Sequence, residues 1–389
     1  MFGGIETLHV NKMYPPEIGG VETVCQQYAR ISAELGRTMV FTTSGKAGFG
    51  WQRDQDGDVT IIRFHHQLVL LQLRLSVVMM FALVLARFGN MTIHIHEPYP
   101  VASFVFGLLP CDRLIVTWHS DLHRHRAIAR VIEWFQRRAM RWAKAVTVTS
   151  PMLAENSAQI AAIKDRQKIH IIPLFLDRLP VSSDDRGMLP VLPGFDDFIL
   201  ENPKYALFLG RLSYYKGIGV LLDALGLLAA KGIRLPVIIA GTGEEKHRLD
   251  AVAEMADVFI IPSYLDEPEK NWLLGHAEVF LFPSTVASEA FGIMQLEALS
   301  LGIPVINTAL PTAVPWVSLD GETGLTVRPD DPEALAEAML CFFSGRASKA
   351  DFSANCRARL ERLFSKDEQR RKLVRLYQPM PPAGQGNTG

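Results

Sequence analysis

Two glutamates with seven residues between them carry the first chemical signal. In the stretch "SEAFGIMQLE" (288–297), Glu289 lies just before a helical pattern and Glu297 about one turn inside it. On an unbroken helix, eight positions correspond to roughly 80° around the axis and about 12 Å along it. Acids so placed could grip hydroxyls at two ends of one ligand, while the free amides of Phe291, Gly292 and Ile293 at the helix start hold an anion between them. Taken singly, each acid has a plainer reading: Glu289 as a helix-start acid favoured by the dipole, Glu297 as an exposed helical glutamate.

Further groups suit an anionic ligand. In "FLGRLSYYKG" (208–217), Arg211 and Lys216 leave the carboxyl end of a strand, where a guanidinium fork and an ammonium could hold a diphosphate. The alternative is that both merely solvate a surface loop. In "NKMYPPEIGGVE" (11–22), Gly19 and Gly20 permit close backbone approach at the start of a long helix, although a tight turn explains them equally. "VTWHSD" places His119, and "HIHEPYP" places His94, His96 and Glu97, at other strand exits. These histidines show no third metal ligand at a suitable spacing, and "DQDGD" (54–58) reads as a turn, so no metal is expected.

These residues need a frame to position them. At 389 residues the chain is long for one core and ample for two domains. A net charge of -1 argues against a nucleic-acid binder. The four cysteines are scattered without CxxC spacing, as in a reducing cytoplasm, and the first residues resemble no export signal. Segment 68–86 is almost as apolar as a membrane span, but Gln72 and Arg74 interrupt it, and it is expected to form a buried or membrane-touching helix.

Strand candidates alternate with helices throughout: "TLHV", "MVFTT", "VTIIRF", "TIHIH", "RLIVTW", "AVTVTS" and "KIHIIP", then "YALFLG", "PVIIAG", "VFIIP", "VFLFP", "PVIN" and "GLTV". Helices are expected over 21–35, 73–88, 124–143, 218–231, 244–256 and 268–276, and another begins at Asp331 as N-cap. An aperiodic break at 177–203 reads as a linker. The pattern predicts an α/β chain of two doubly wound domains, 1–185 and 186–364, with a helix at 365–378 and a disordered tail at 379–389. Two such sheets would bind ligand beyond their strands' carboxyl ends, in a cleft.

Together the segments "YPPEIGGVE", "WHSD", "FLGRLSYYKG", "VIIAGTGEE", "SEAFGIMQLEALSLGIPVIN" and "GETGLTV" resemble, in order and spacing, the retaining glycosyltransferases of family 4, which have the GT-B fold. The likeness reaches to about Tyr377. It implies that Glu289 contacts donor-sugar hydroxyls, Glu297 the ribose, and Arg211 and Lys216 the diphosphate. It further implies that Gly19, Gly20 and Gly241 and the amides of Phe291, Gly292 and Ile293 line the donor, and that His119 stands near the transferred sugar. Tyr14, His96 and Glu97 fall on the implied acceptor side. The last helix would cross back to the first domain. No cofactor beyond a nucleotide-sugar donor, GDP- or UDP-linked, is implied. The wording is closest to bacterial transferases building O-antigens and exopolysaccharides, many using GDP-mannose.

For the acceptor, helix 124–144 is suggestive, with Arg124, Arg126, Arg130, Arg137, Arg138, Arg141 and Lys144 set against Glu133 and accompanied by Trp134, Phe135 and Trp142. Such a helix could lie on anionic lipid, and it could equally be a solvated basic face over a core stripe. With segment 68–86 it points to a cytoplasmic enzyme peripheral to the inner face of the membrane, using a lipid-linked glycan acceptor. An oxidoreductase is the first rival, yet no strand is followed by GxGxxG. An epimerase, a phosphorylase or a non-catalytic sugar-nucleotide binder would share the fold.

Overall fold

The computed structural model describes residues 4, 6–17, 19–70, 73–121, 126–181, 192–255 and 257–378. The chain divides into two compact units, Met1–Pro173 with Asp367–Gly389, and Leu174–Lys366. The expected tail at 379–389, and Arg124 of the basic helix, lie outside the described residues.

The first unit holds strands β1 (Thr7–Val10), β2 (Thr38–Ala47), β3 (Trp51–Asp56), β4 (Val59–His66), β5 (Leu68–Leu70), β6 (Leu73–Leu75), β7 (Thr92–Glu97), β8 (Leu114–Trp118), β9 (Ala145–Val148) and β10 (Ile169–Ile171). Eight of them form one sheet in the order β10-β9-β8-β7-β1-β2-β4-β3. Every pairing is parallel except β3 on β4. Because side chains alternate along a strand, the sheet has two different faces. Leu8, Val10, Ile93, Ile95, Val116, Trp118 and Val146 bury the apolar one beneath helices Val77–Arg87, Pro100–Leu108 and Arg126–Trp142. The opposite face presents His9, His94, His96 and Thr117, all buried.

Two expectations change here. Segment 68–86 is not one helix: β5 pairs antiparallel with β6, and the helix starts only at Val77, where the Ser76 hydroxyl accepts from Met79 N at 3.3 Å. A hydroxyl capping bond fixes that start. At eleven residues the helix is too short to cross a bilayer core, and no described helix is long and apolar enough to do so. Asp54 and Asp56 belong to edge strand β3, and only Gly57 and Asp58 make the turn.

The second unit contains β11 (Ala206–Leu209), β12 (Val237–Ala240), β13 (Val258–Ile261), β14 (Val279–Leu281), β15 (Val305–Thr308) and β16 (Gly324–Val327). They form a wholly parallel sheet in the order β13-β12-β11-β14-β15-β16. In place of the helix expected at 244–256 stands a short 3₁₀ turn, Lys246–Ala251, and the expected linker includes helix Phe195–Glu201. Asp331 caps helix Pro332–Phe343 as expected, its carboxylate accepting from Ala334 N at 2.8 Å.

Helix Lys366–Tyr377 joins the first unit, with Leu373 and Tyr377 buried. The Tyr377 hydroxyl lies 2.8 Å from His94 Nδ1, and Arg370 pairs with Glu34.

Candidate functional site

In the second unit the strand order reverses direction between β11 and β14, and a crevice opens beyond the carboxyl ends of such a pair. The loop leaving β11 carries Arg211 and Lys216, and the loop leaving β14 carries Glu289. Thr285 N donates to the Tyr215 carbonyl at 3.0 Å, tying the loops together. Gly217 ends the first loop at φ 75, and a Cβ there would lie 1.8 Å from the Pro283 carbonyl oxygen, so glycine is required.

Lys216 Nζ is ion-paired with Glu289 Oε2, both side chains being largely shielded from solvent. The ammonium also sits 5.1 Å from the centre of the Phe282 ring. The two residues expected to hold phosphate and sugar thus hold each other. Arg211 is more open, its side chain 69 % exposed and 3.5 Å from the Glu244 carboxylate.

Beside them lies a cavity of about 500 Å³ lined by Gly210, Arg211, Gly241, Thr242, Tyr264 and Lys270, among others. Gly241 is essential to its floor, since a Cβ would lie 1.8 Å from the Gly210 carbonyl oxygen. Lys270 was not anticipated. It projects from helix Glu267–His276, whose start is fixed by an Asp266–Glu269 capping box, and pairs with Glu297 at 2.8 Å and Glu267 at 2.9 Å. Burial disfavours the Lys270 charge, but the two carboxylates outweigh it and raise its pKa above the usual lysine value. Burial pushes Glu297 up against the pull of Lys270, with like-charged Glu267 adding to the rise.

The amides expected to face an anion are held from behind. Phe291 buries its ring against Trp316 and Phe364, and Gly292 caps helix Ile293–Leu301 at φ 79. Buried Gln295 donates to the carbonyls of Phe291 and Val314 at 3.3 and 3.2 Å. Its own carbonyl accepts from Asn307 at 2.9 Å. Glu297 lies on this helix and Glu289 precedes it, as their spacing predicted.

In the first unit Gly19 caps helix Gly20–Ala33, and the Glu22 carboxylate occupies the space a Gly19 Cβ would need, 2.1 Å away. Arg63 donates to the carbonyls of Tyr14, at 3.1 Å, and Pro15, and to Asp54 at 2.6 Å. Asp56 accepts from the Tyr14 hydroxyl at 2.8 Å. The acids of "DQDGD" therefore brace the glycine loop.

Tyr14, His96 and Glu97 are essentially fully buried. Glu97 accepts from Tyr99 N at 2.7 Å, from Gln136 at 2.9 Å and from Ser103; burial still raises its pKa against these bonds. The polar groups of these three side chains, expected on the acceptor side, are taken up internally. His119, 6 % exposed, lies closer to the surface. His9, His94 and His96 bring ligand atoms within 4.8 Å of one another, as a metal site would. Every ring nitrogen already has a polar neighbour, at Ser32, Thr117, Tyr377 or another histidine. An ion would have to displace that network.

Two doubly wound units, the second with paired acids and cations at its switch point, are the architecture of the GT-B fold. Residues 18–178 match the model for Glycosyltransferase Family 4, and residues 195–359 the model for Glycosyl transferases group 1. The chain belongs to the family 4 glycosyltransferases. It is 27% identical to O-antigen chain mannosyltransferase C of Escherichia coli, over 96% of this chain and 98% of that one. It is 28% identical to the D-rhamnosyltransferase WbpZ of Pseudomonas aeruginosa, over 93% and 92%. Among solved structures, HepE of Anabaena in complex with UDP-glucose superposes with TM-score 0.66 at 17% identity, covering 95% of this chain and 98% of that one.

Proposed function

We propose that the chain transfers mannose from GDP-mannose, with retention of configuration, to a hydroxyl of a lipid-linked glycan in surface polysaccharide assembly. The observation that carries the donor half is the Lys216–Glu289 pair at the switch point, flanked by Arg211 and by the cavity lined by Lys270, the ion-pair partner of Glu297. In this reading a donor diphosphate draws Lys216 away from Glu289, which frees the carboxylate for sugar hydroxyls. Arg211 and the amides of 291–293 complete the phosphate grip. Glu297, steadied by Lys270, holds the ribose.

Breaking the bond between C1 and the phosphate oxygen leaves negative charge on the diphosphate and positive charge on C1. Fixed cations and amides stabilise the first without reorganising. The acceptor oxygen bonds to C1 on the face the phosphate leaves, and its proton passes to the departing phosphate oxygen. No protein nucleophile and no metal is required.

Mannose is favoured over other hexoses because full-length relatives are named for transfer of mannose and of D-rhamnose, its 6-deoxy form. A UDP-sugar is the second reading, supported by the ligand named with HepE. A panel of GDP- and UDP-sugars, read by thermal shift and slow donor hydrolysis, tests the assignment. GDP-mannose is expected to give the largest shift. Stabilisation by a sugar nucleotide with no turnover on any acceptor would instead favour a non-catalytic binder, and no stabilisation at all would remove the donor reading.

The lipid-linked acceptor and a peripheral membrane site rest on helix Arg126–Trp142. There Arg130, Arg137, Arg138 and Arg141 lie exposed beside Val131, Trp134 and Trp142.

A further inference from the structure

The buried histidines of the first unit form a continuous row that the transfer mechanism does not use. Strands β1, β7 and β8 are parallel neighbours, and the ladder continues one step past β8 through His119 N, which donates to the Glu97 carbonyl at 3.0 Å. His9 Nε2 lies 2.9 Å from the Ser32 hydroxyl, and His9 Nδ1 lies 3.3 Å from His96 Nε2. His96 Nδ1 in turn lies 3.3 Å from His119 Nε2. We infer that the row Ser32–His9–His96–His119 fixes the tautomer of His119, leaving its Nδ1 as a hydrogen-bond acceptor for a hydroxyl of the transferred sugar. The inference rests on the reading of His119 as the histidine beside that sugar.

A neutral imidazole has one donor and one acceptor. Burial keeps the rings neutral, pulling His9 and His119 down to about 3 and His96 well below its usual value. In an unbroken row of such rings each bond must point the same way, so only two settings exist. Ser32 selects between them. Its single hydroxyl hydrogen has the Ala29 carbonyl at 2.9 Å, which can only accept, and the Thr38 hydroxyl at 3.2 Å, which can donate or accept; with the hydrogen on either of these, its lone pair accepts from His9 Nε2–H. His9 Nδ1 then accepts from His96 Nε2–H, and His96 Nδ1 accepts from His119 Nε2–H. His119 Nδ1 is left bare, with no protein partner among the described residues. A sugar hydroxyl can donate to it, and a bare carbonyl or phosphate oxygen cannot. His9 and His96 are thereby positioning residues for His119.

The test combines long-range ¹⁵N–¹H spectra of the histidine rings with kinetics on the full chain. In the wild-type protein His119 should show a single tautomer, protonated at Nε2. Ser32→Ala removes the selecting hydroxyl, and His96→Phe breaks the row while keeping a flat ring. Both should give mixed His119 signals and lower kcat by about 10–100-fold, the usual effect of losing an orienting partner, with donor KM within about twofold. His96→Gln, which can still donate and accept, should restore most of kcat. A wild-type His119 protonated at Nδ1, or unchanged His119 spectra in both Ser32→Ala and His96→Phe, would overturn the inference. Full turnover in His119→Ala would overturn the sugar contact alone, since the spectra decide the tautomer independently of activity.

Discussion

Lys216 and Glu289 show how a resting site can store its ligand's charges. Each neutralises the other in a partly dry crevice, so removing one partner leaves the other unpaired and, on the proposed function, also deletes a donor contact. Glu289→Gln and Lys216→Met are each expected to lower kcat by about 100–1000-fold, as loss of one fixed transition-state contact does. Steady-state transfer assays with the preferred donor check this, and wild-type rates in both variants would sink the site assignment. Lys270 makes a different prediction. Lys270→Met should raise donor KM roughly tenfold with a smaller change in kcat, because Glu297 loses its charge-assisted partner, while Lys270→Arg keeps most affinity. Glu289, Glu297, Arg211 and Lys216 were legible because short spacings fix their places relative to one helix start or strand exit. Lys270 was not. Three positions after Glu267 on a capped helix, it reads as an ordinary solvated i,i+3 pair, and its link to Glu297 exists only once two helices pack.

At the level of elements, the strands were the easiest to read and the edges the hardest. Continuous apolar runs such as "TIHIH" and "VFLFP" announced parallel strands, but polar β3 carries little apolar signal, being an edge strand with every second residue in solvent. The hairpin β5–β6 was hidden for the opposite reason, since an apolar run looks alike as helix or strand. The histidine row was invisible because His9 and His96 come from two strands and His119 from the residue just past a third, and only the register of the sheet aligns them.

The buried histidines of this face predict an acid-sensitive fold. His9, His94, His96 and His119 all have pKa values lowered by burial, so between pH 6.5 and about 3 the unfolded chain binds protons the folded one refuses. Stability is then full above pH 6.5 and falls as pH drops, by up to roughly 1.4 kcal/mol per pH unit for each histidine. Urea midpoints should decline steadily from pH 7 to 5, and a flat profile would contradict neutral burial. The C-terminal helix shares this network through Tyr377. Tyr377→Phe leaves His94 Nδ1 without its buried partner and should cost about 1–3 kcal/mol in the same denaturation experiment.

The whole molecule carries a net charge of only -1, so attraction to an anionic surface must come from how charge is distributed. On helix Arg126–Trp142 the exposed arginines alternate with aromatic rings: Arg138 lies 5.5 Å from the Trp134 ring centre and Arg141 5.9 Å from that of Trp142. Elsewhere on the first unit, helix Val77–Arg87 turns Val77, Phe81 and Leu85 outward at four-residue spacing, and Phe88 follows, 72 % exposed. The first group suits lipid headgroups and the second suits acyl chains, so the two should respond differently to salt. Arginine–headgroup attraction is screened within about 10 Å at 0.1 M salt, whereas buried apolar area is not. Binding to vesicles containing anionic lipid should therefore fall with rising salt to a residual level rather than to zero. Arg137→Glu with Arg141→Glu should remove the salt-sensitive part. Phe81→Ser with Phe88→Ser should remove the residue that survives high salt, leaving turnover on a soluble acceptor within about twofold, because surface changes away from a site rarely matter to it. Co-sedimentation at two salt concentrations separates the contributions, and binding equally tight to neutral and anionic vesicles would assign the whole interaction to the apolar face.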